Sequence, residues 1–512
     1  DPDAFRKWVK VYDQISSGQM PPASEPPLPP AQRDKLFAAL KRDLTAANLV
    51  VQRRRGRVPA RRLTRLEYDY TIRDLLQIDG EFGSTLPKES AAGSFDTVGS
   101  EQRVSAMHLE SYVATADKAN GTAVKLHRNP HRKHDFDLLN NEHLNSFHER
   151  DLQIGGNISR KLDDGVVVFR DVDYLLRSDL HGFRVKSSGS GFYRISIVAE
   201  AFQSESPVAM KVVVKDISGQ TELVGAFDLM PGQTHSLQVK AFLTRTKVFY
   251  LSMAEERPPA LILADIFDAG GAEKYEGQGV KVKSIRVEGP LTGGWPPKST
   301  RDLLGDVELK VDAEGVYSLQ DSNTPLADVE NIIRQIATRA YRRPLSDGEL
   351  QTLVNLAKPA LAENEGLVAA INSPLQAVLS SPQFLLLTGK RGRLDDYSLA
   401  SRLSYFLWKT LPDDELLRLA EQGKLSDSGI LSKQVDRLLS DRRSQRFVDD
   451  FAGQWLRLDE INATTPDEKL YPEYDELLHW SIGQETGLYL NELIQKNLSV
   501  RLLIDSDFTF LN

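Results

Sequence analysis

The spacing of apolar residues changes twice along the 512 residues, and that change restricts what the chain can fold into. Up to about residue 126 apolar positions recur at helical spacing: Phe5, Trp8, Val9, Tyr12 and Ile15; then Leu36, Phe37, Leu40 and Leu44; then Leu66, Tyr70, Ile72, Leu75 and Leu76. Between 161 and 290 the period falls to two. Residues 191–198 and 209–214 alternate or run β-branched, and shorter runs follow at 223–229, 235–239, 247–253, 260–267 and 280–287, with Phe183-Arg184-Val185 ahead of them. From Asp328 the helical period returns, punctuated by Pro344, Pro374, Pro382, Pro412, Pro466 and Pro472. The expectation is a multi-domain α+β protein in which all-α domains flank a jelly-roll-like β-sandwich. Its expected parts are a helical pair at 1–52, a helical domain at 60–126, a polar linker at 127–160, the sandwich at 161–290, and helical domains at 326–390 and 391–512.

Composition removes several classes. A hydrophobic content of 40% and a charged content of 27% are those of a globular protein. A net charge of −8 gives no global pull toward nucleic acid. Arg53-Arg54-Arg55-Gly56-Arg57 with Arg61-Arg62 reads as a solvated basic linker. No apolar run reaches 18 residues, so no membrane span is expected, and Asp1-Pro2-Asp3 does not open a signal peptide. The absence of cysteine removes disulfides, thiolate metal sites and cysteine nucleophiles. The dinucleotide, P-loop, nucleophile-elbow and zincin motifs are absent as well.

Several residues are candidates for chemistry. Thr64 followed by Glu67 has the spacing of a capping box, and Asp413-Asp414-Glu415 fits the first turn of a helix. His127, His131 and His134 could face a metal from one helix, but Pro130 interrupts that helix and the segment reads as a polar connection. Asp265 and Asp268, expected near a strand end, are candidates for a calcium site. Tyr193, Phe202, Tyr250 and Tyr275 are candidates for stacking on sugar rings, with at least half expected in the core. Arg342 and Arg343 fix the fold if they pair with carboxylates such as Asp347 or Asp413, and point to an anionic ligand if they line an open cleft. A buried acid pair between helical domains would favour a hydrolase.

Four stretches carry a family resemblance. They are Trp8 with Gly18-Gln19-Met20-Pro21-Pro22; residues 62–76 with Leu86-Pro87 and Gly93-Ser94-Phe95-Asp96; Arg339-Ala340-Tyr341-Arg342-Arg343-Pro344-Leu345; and residues 373–387 with 399–408 and 412–416. Together they resemble the large secreted c-type cytochrome proteins characteristic of planctomycetes, in which a haem domain is followed by domains of unknown function. The resemblance implies that residues 1–52 are the C-terminal part of a cytochrome c-like domain. It implies haem c in the full-length protein, with Met20 as an axial thioether ligand. The attachment motif Cys-x-x-Cys-His is missing, so this chain cannot bind haem covalently; a chain cut at both ends would look the same. It also implies a carbohydrate-binding-like sandwich, whose last strand Ile285-Arg286-Val287-Glu288-Gly289-Pro290 resembles, and a periplasmic or secreted location. The expected function is an exported, haem c-associated electron-transfer protein whose sandwich binds a polysaccharide or a protein partner. Its redox partner is not specified by the sequence. The alternatives are a non-catalytic glycan-binding or scaffold protein, and a carbohydrate-active enzyme with a site in the helical half.

Overall fold

The computed structural model describes residues 2–510 apart from 23, 27–28, 56–59, 90–94, 100–101, 149–157, 186–188, 255–258, 321, 390–391, 464–465, 468–469, 472–473 and 475. It shows a mixed α+β protein with helical regions at both ends and several antiparallel sheets. No described helix is long and apolar enough to cross a membrane.

The helix Arg65–Leu76 starts where its sequence says it should. Thr64 Oγ1 accepts from Glu67 N, Glu67 Oε2 accepts from Thr64 N, and two orphan donors are satisfied at once. Its buried face of Tyr68, Ile72, Leu75 and Leu76 packs beside the helix Ala106–Ala123. The small side chains Ala116, Ala119 and Ala123 there admit close approach of the helix Leu367–Ser380. One core therefore runs from Leu63–Ala123 through Leu303–Leu304 to Val329–Leu411. Segments 60–126 and 326–390, expected as two domains, share it; helical period shows which face is buried but not against what.

A two-residue strand, Arg61–Arg62, pairs antiparallel with Leu386–Leu387 and ties the two segments together. Neither arginine belongs to a solvated linker. Arg61 forks onto Glu67 at 2.6 and 2.8 Å, and Arg62, 6% exposed, donates to Glu89 at 3.0 Å. Residues 56–59 lie outside the described residues.

The sandwich has one sheet in the order Ser159–Leu162, Gly165–Val168, Gly279–Gly289, Gly191–Phe202, Thr234–Leu243, with Arg132–Asp135 also on Gly279–Gly289. The facing sheet is Thr221–Leu229, Val208–Lys215, Val248–Met253. Alternation sends Tyr193, Ile195, Ile197 and Ala199 into the core between the sheets, and Phe192, Arg194 and Ser196 to the other side. Two expectations change here. Residues 260–267 lie in a helix, Pro259–Asp268, because Ile262 and Ile266, one turn apart, cover Val167 and Phe169 on the outer face of the larger sheet. Within 127–160, Arg132–Asp135 is a strand and Glu142–His148 a helix, since Phe136, Leu138 and Leu144 reach the sandwich core between polar neighbours.

Towards the C-terminus the helices Asp396–Leu407, Asp414–Glu421 and Ser428–Ser440 surround Trp408, fully buried with Nε1 donating to Leu438 O at 2.8 Å. The helices Gln445–Trp455 and Glu476–Gln495 pack through Val448, Ala452, Leu490 and Leu493. At the other end Pro2–Ser16 and Pro30–Arg55 form a hairpin in which Tyr12 stacks on Phe37 at 4.4 Å.

Candidate functional site: an interdomain groove

The groove begins with strand register. On the outer face of the larger sheet Phe192 sits opposite Phe242, and Arg194 opposite Lys240. The two phenyl rings meet edge to face at 5.3 Å, and Lys240 Nζ lies 4.1 Å from the centre of the Phe192 ring. Across from them the helix Arg65–Leu76 stops abruptly. Gln77 adopts the left-handed conformation (φ 53°), Ile78 N returns to Arg73 O, and Ile78 is buried, which sets Asp79 at the sandwich boundary. Burial pushes the Asp79 carboxyl above its usual range, against the opposing pull of Arg73, Lys240 and Lys125.

Asp79 lines two adjoining hollows. The first, of about 520 Å³, has Glu81, Ser84, Lys118 and Thr122 on the helical side, with Phe242, Thr244, Thr246 and Trp295 on the sandwich side. Trp295 is held by its Nε1, which donates to His127 O at 2.7 Å, and its ring lies 4.9 Å from that of His127. The second hollow, of about 830 Å³, is lined by Arg73, Lys240, Arg339, Arg442, Arg443 and Arg446. Its carboxylates are Asp74, Asp79, Asp413 and Asp441. Most of these charges are already matched. Arg446 forks onto Asp74 at 2.6 and 3.2 Å with its guanidinium 4.1 Å above Tyr70. Arg443 forks onto Asp441 at 3.0 and 2.8 Å and lies 3.4 Å above Trp408. Asp413 is taken by Arg437, at 2.7 and 3.1 Å, and caps Leu416 N. Lys240 and Arg442 are exposed and have no side-chain hydrogen bond or ion pair among the described residues. Arg339 reaches Asp414 only at 4.0 Å, and its Nε has no hydrogen-bond partner.

Of the residues singled out from sequence, Asp413 and His127 border the hollows and most of the others lie elsewhere. Tyr193 is in the core, its hydroxyl donating to Gly189 O at 2.6 Å, and Tyr250 is buried too. Phe202 and Tyr275 stand edge-on to Phe169 beneath the helix Pro259–Asp268, with Arg160 above Phe202. None of these four aromatic rings lines the groove. Asp265 and Asp268 sit in that helix rather than at a strand end, and among the described residues no three metal-ligating side chains converge. His131 meets Glu288 at 3.3 Å and His134 meets His181 O at 3.2 Å, so the histidines serve the polar connection. Arg342 donates to the carbonyls of Gln383, Phe384 and Leu386, and Arg343 forks onto Glu349. Arg342 is thus spent on main-chain carbonyls and Arg343 on Glu349 rather than on Asp347 or Asp413, and both also border a hollow of about 450 Å³.

Met20 lies in the turn of the N-terminal hairpin, 39% exposed, and Trp8 is 54% exposed. Residues 1–52 hold no histidine and the whole chain no cysteine, so Met20 offers one thioether and nothing opposite it. These residues do not by themselves fit a haem.

An acid pair does occur between helical segments. Phe95 stacks on Phe451 at 5.7 Å, and Asp96 N donates to Gln454 Oε1 at 2.8 Å. Gln454 Nε2 bridges Asp96 Oδ1 and Asp450 Oδ1, while Lys409 Nζ meets Asp450 at 2.5 Å. Burial, followed by the neighbouring Asp450, pushes Asp96 up to about 6. Gln454 and Lys409 make this pair a joint between the turn and the helix Gln445–Trp455.

Three family models match the chain: PSD3, "Protein of unknown function (DUF1587)", at residues 61–125; PSD5, "Protein of unknown function (DUF1595)", at 328–388; and PSD4, "Protein of unknown function (DUF1592)", at 394–512. The chain carries all three domains. The set is typical of planctomycete multi-domain cytochrome c-like proteins. No curated protein matches the chain. Among solved structures it is similar to the CBM22-1 xylan-binding domain of Paenibacillus barcinonensis Xyn10C, at 11% identity over 24% of this chain and 70% of that one, with a TM-score of 0.16. The groove joins these domains: Asp79 belongs to the DUF1587 segment and Arg442 to the DUF1592 segment, while Lys240 and Trp295 lie between the matched regions. The Gly293-Gly294-Trp295-Pro296-Pro297 run signals the end of the sandwich in the sequence; that its tryptophan faces the DUF1587 segment required the fold.

Proposed function

We propose that the chain is a polysaccharide-binding scaffold whose glycan lies in the groove between the sandwich and the helical body. The observation that carries this reading is the first hollow, where the rings of Trp295 and Phe242 share one wall system with Thr122, Thr244, Thr246 and Ser84. A sugar ring has an apolar face of C–H groups and an edge of hydroxyls. The aromatic rings suit the face, and hydroxyls, ammonium and carboxylate groups suit the edge. Binding rather than bond cleavage is the role, because three of the four carboxylates of the adjoining hollow, Asp74, Asp413 and Asp441, are each held in an arginine fork. No electron-transfer step is included, since Met20 has no second ligand within residues 1–52. A polysaccharide ligand accords with the exported location that the family resemblance implies.

The test is affinity electrophoresis of the whole chain in gels containing a panel of polysaccharides. Trp295→Ala is expected to weaken retardation about tenfold, the equivalent of ~1.4 kcal/mol, with the melting temperature as control. Because Trp295 also anchors His127 O, Phe242→Ala provides a second reading on the same, sandwich side. Unchanged retardation in both variants overturns the proposal.

A further inference from the structure

The groove does not end at its aromatic half. It passes Asp79 and the Phe192–Phe242 ring pair into the larger hollow, where charge replaces hydroxyls. We infer that the glycan is acidic, carrying carboxylate or sulfate groups that are received by Lys240, Arg442 and Arg339. This inference rests on the polysaccharide reading above and narrows its substrate class.

The charge balance supports it. Six cations and four carboxylates line the larger hollow. Asp74, Asp413 and Asp441 are each taken by an arginine fork, while the carboxyl of Asp79, an exposed residue, is pushed upward by partial desolvation against the pull of Arg73, Lys240 and Lys125. That leaves Lys240, which rests on the Phe192 ring, and Arg442 with no side-chain hydrogen bond or ion pair among the described residues, and Arg339 with one carboxylate at the limit of ion pairing. A cation in a concave, partly dry setting gains more from an arriving anion than one on open surface, where water screens the pair.

Two cations beside the receiving groups are also fixed in place. Arg443 and Arg446 are held flat against Trp408 and Tyr70 by ring contacts and by their aspartates. Neither has to be ordered when a ligand arrives, so little side-chain entropy is lost. Guanidinium forks match carboxylate and sulfate geometry, which an ammonium alone does not. The anion is placed on a polymer rather than a free ion because the basic hollow opens directly into the aromatic one. A chain spanning both contributes sugar faces to Trp295 and Phe242, and acidic groups to Arg442 and Lys240.

Isothermal titration of the whole chain with polygalacturonate and with a neutral β-glucan of similar length tests this, at low and high sodium chloride. The expected result is at least about tenfold tighter binding of polygalacturonate at low salt, a gap that closes as salt screens the charges. The double variant Lys240→Ala with Arg442→Ala should bring the two affinities together without lowering the melting temperature. Equal affinities in the unaltered chain, or a preference that survives the double variant, overturn the acidic class. Provided Trp295→Ala still weakens the neutral glycan, the polysaccharide reading stands in that event. Failure of both polymers to bind overturns the two together. Displacement of polygalacturonate by sodium sulfate at equal charge concentration identifies a small-anion site and overturns the glycan assignment.

Discussion

The arginines of the helical body and those of the groove carry the same charge to opposite ends. Arg342 is 4% exposed and spends its guanidinium on three main-chain carbonyls and the Tyr405 hydroxyl. Arg61 is consumed by Glu67, itself fully buried, and Arg62 by Glu89. In the groove, Arg443 and Arg446 are partly matched, and Lys240 and Arg442 are not matched by any described residue. The difference follows from desolvation. A guanidinium removed from water must have its donors met by fixed acceptors, or the fold loses several kcal/mol. Unmatched charge is therefore best tolerated where solvent or a ligand can reach it, and the junction between domains is one such place.

The sharpest way to break the comparison is Arg342→Ala. It strands the carbonyls of Gln383, Phe384 and Leu386, and a loss of about 3–5 kcal/mol in urea unfolding is expected. Near-normal stability would place Arg342 with the spare charges instead. Glu349→Ala comes next, at about 1–2 kcal/mol, since it breaks both a capping box and a partly exposed ion pair. The Arg343 fork, with the Ser346 N–H, holds Glu349 down at about 2. Its contribution is present above the unfolded value of 4.5 and lost as pH falls toward 2, so the variant should lack that part of the acid unfolding slope.

Asp96→Asn works in the reverse sense. Burial and Asp450 raise Asp96 to about 6, so its linked stability is full below 3.8 and is lost as pH rises through 6. The variant should flatten stability between those values and add on the order of 1 kcal/mol at neutral pH, read by thermal melts across pH. A drop at neutral pH would show that the Asp96 charge supports the joint. Smallest of all, Lys240→Ala with Arg442→Ala should leave stability within ~0.5 kcal/mol, because both side chains are exposed and only the solvent-facing contact of Lys240 with the Phe192 ring is lost.

What the sequence disclosed was local. The Thr64–Glu67 box is formed on both sides, and Asp413 caps the helix Asp414–Glu421 as its first-turn acids suggest. The helices after Asp328 follow their apolar spacing closely, because 3.6-residue periodicity is a property of a short window; Pro374, expected as a break, instead lies buried inside the helix Leu367–Ser380. Residues 260–267 misled because a short apolar run suits a buried strand or a buried helix equally; the outer face around Val167 and Phe169 decides it. The groove was hidden for a different reason. Asp79, Phe192, Lys240, Trp295 and Arg442 come from five separated stretches, and no window contains two of the walls. Tyr193 and Tyr250 attracted notice for their type, yet alternation already turned Tyr193 inward beside Ile195 and Ile197.

The shared helical core also fixes a timetable. Thr71 Oγ1 and the Tyr405 hydroxyl meet at 3.1 Å across 334 residues, with the whole sandwich threaded between them. At roughly 5–20 residues per second, a ribosome needs on the order of half a minute to deliver the second partner after the first. For most of that interval Tyr68, Ile72 and Leu75 have the helix Ala106–Ala123 beside them but not the covering helices that begin at Pro325. The sandwich closes largely on its own residues and can finish meanwhile, so a later-made segment completes a core that was begun before it.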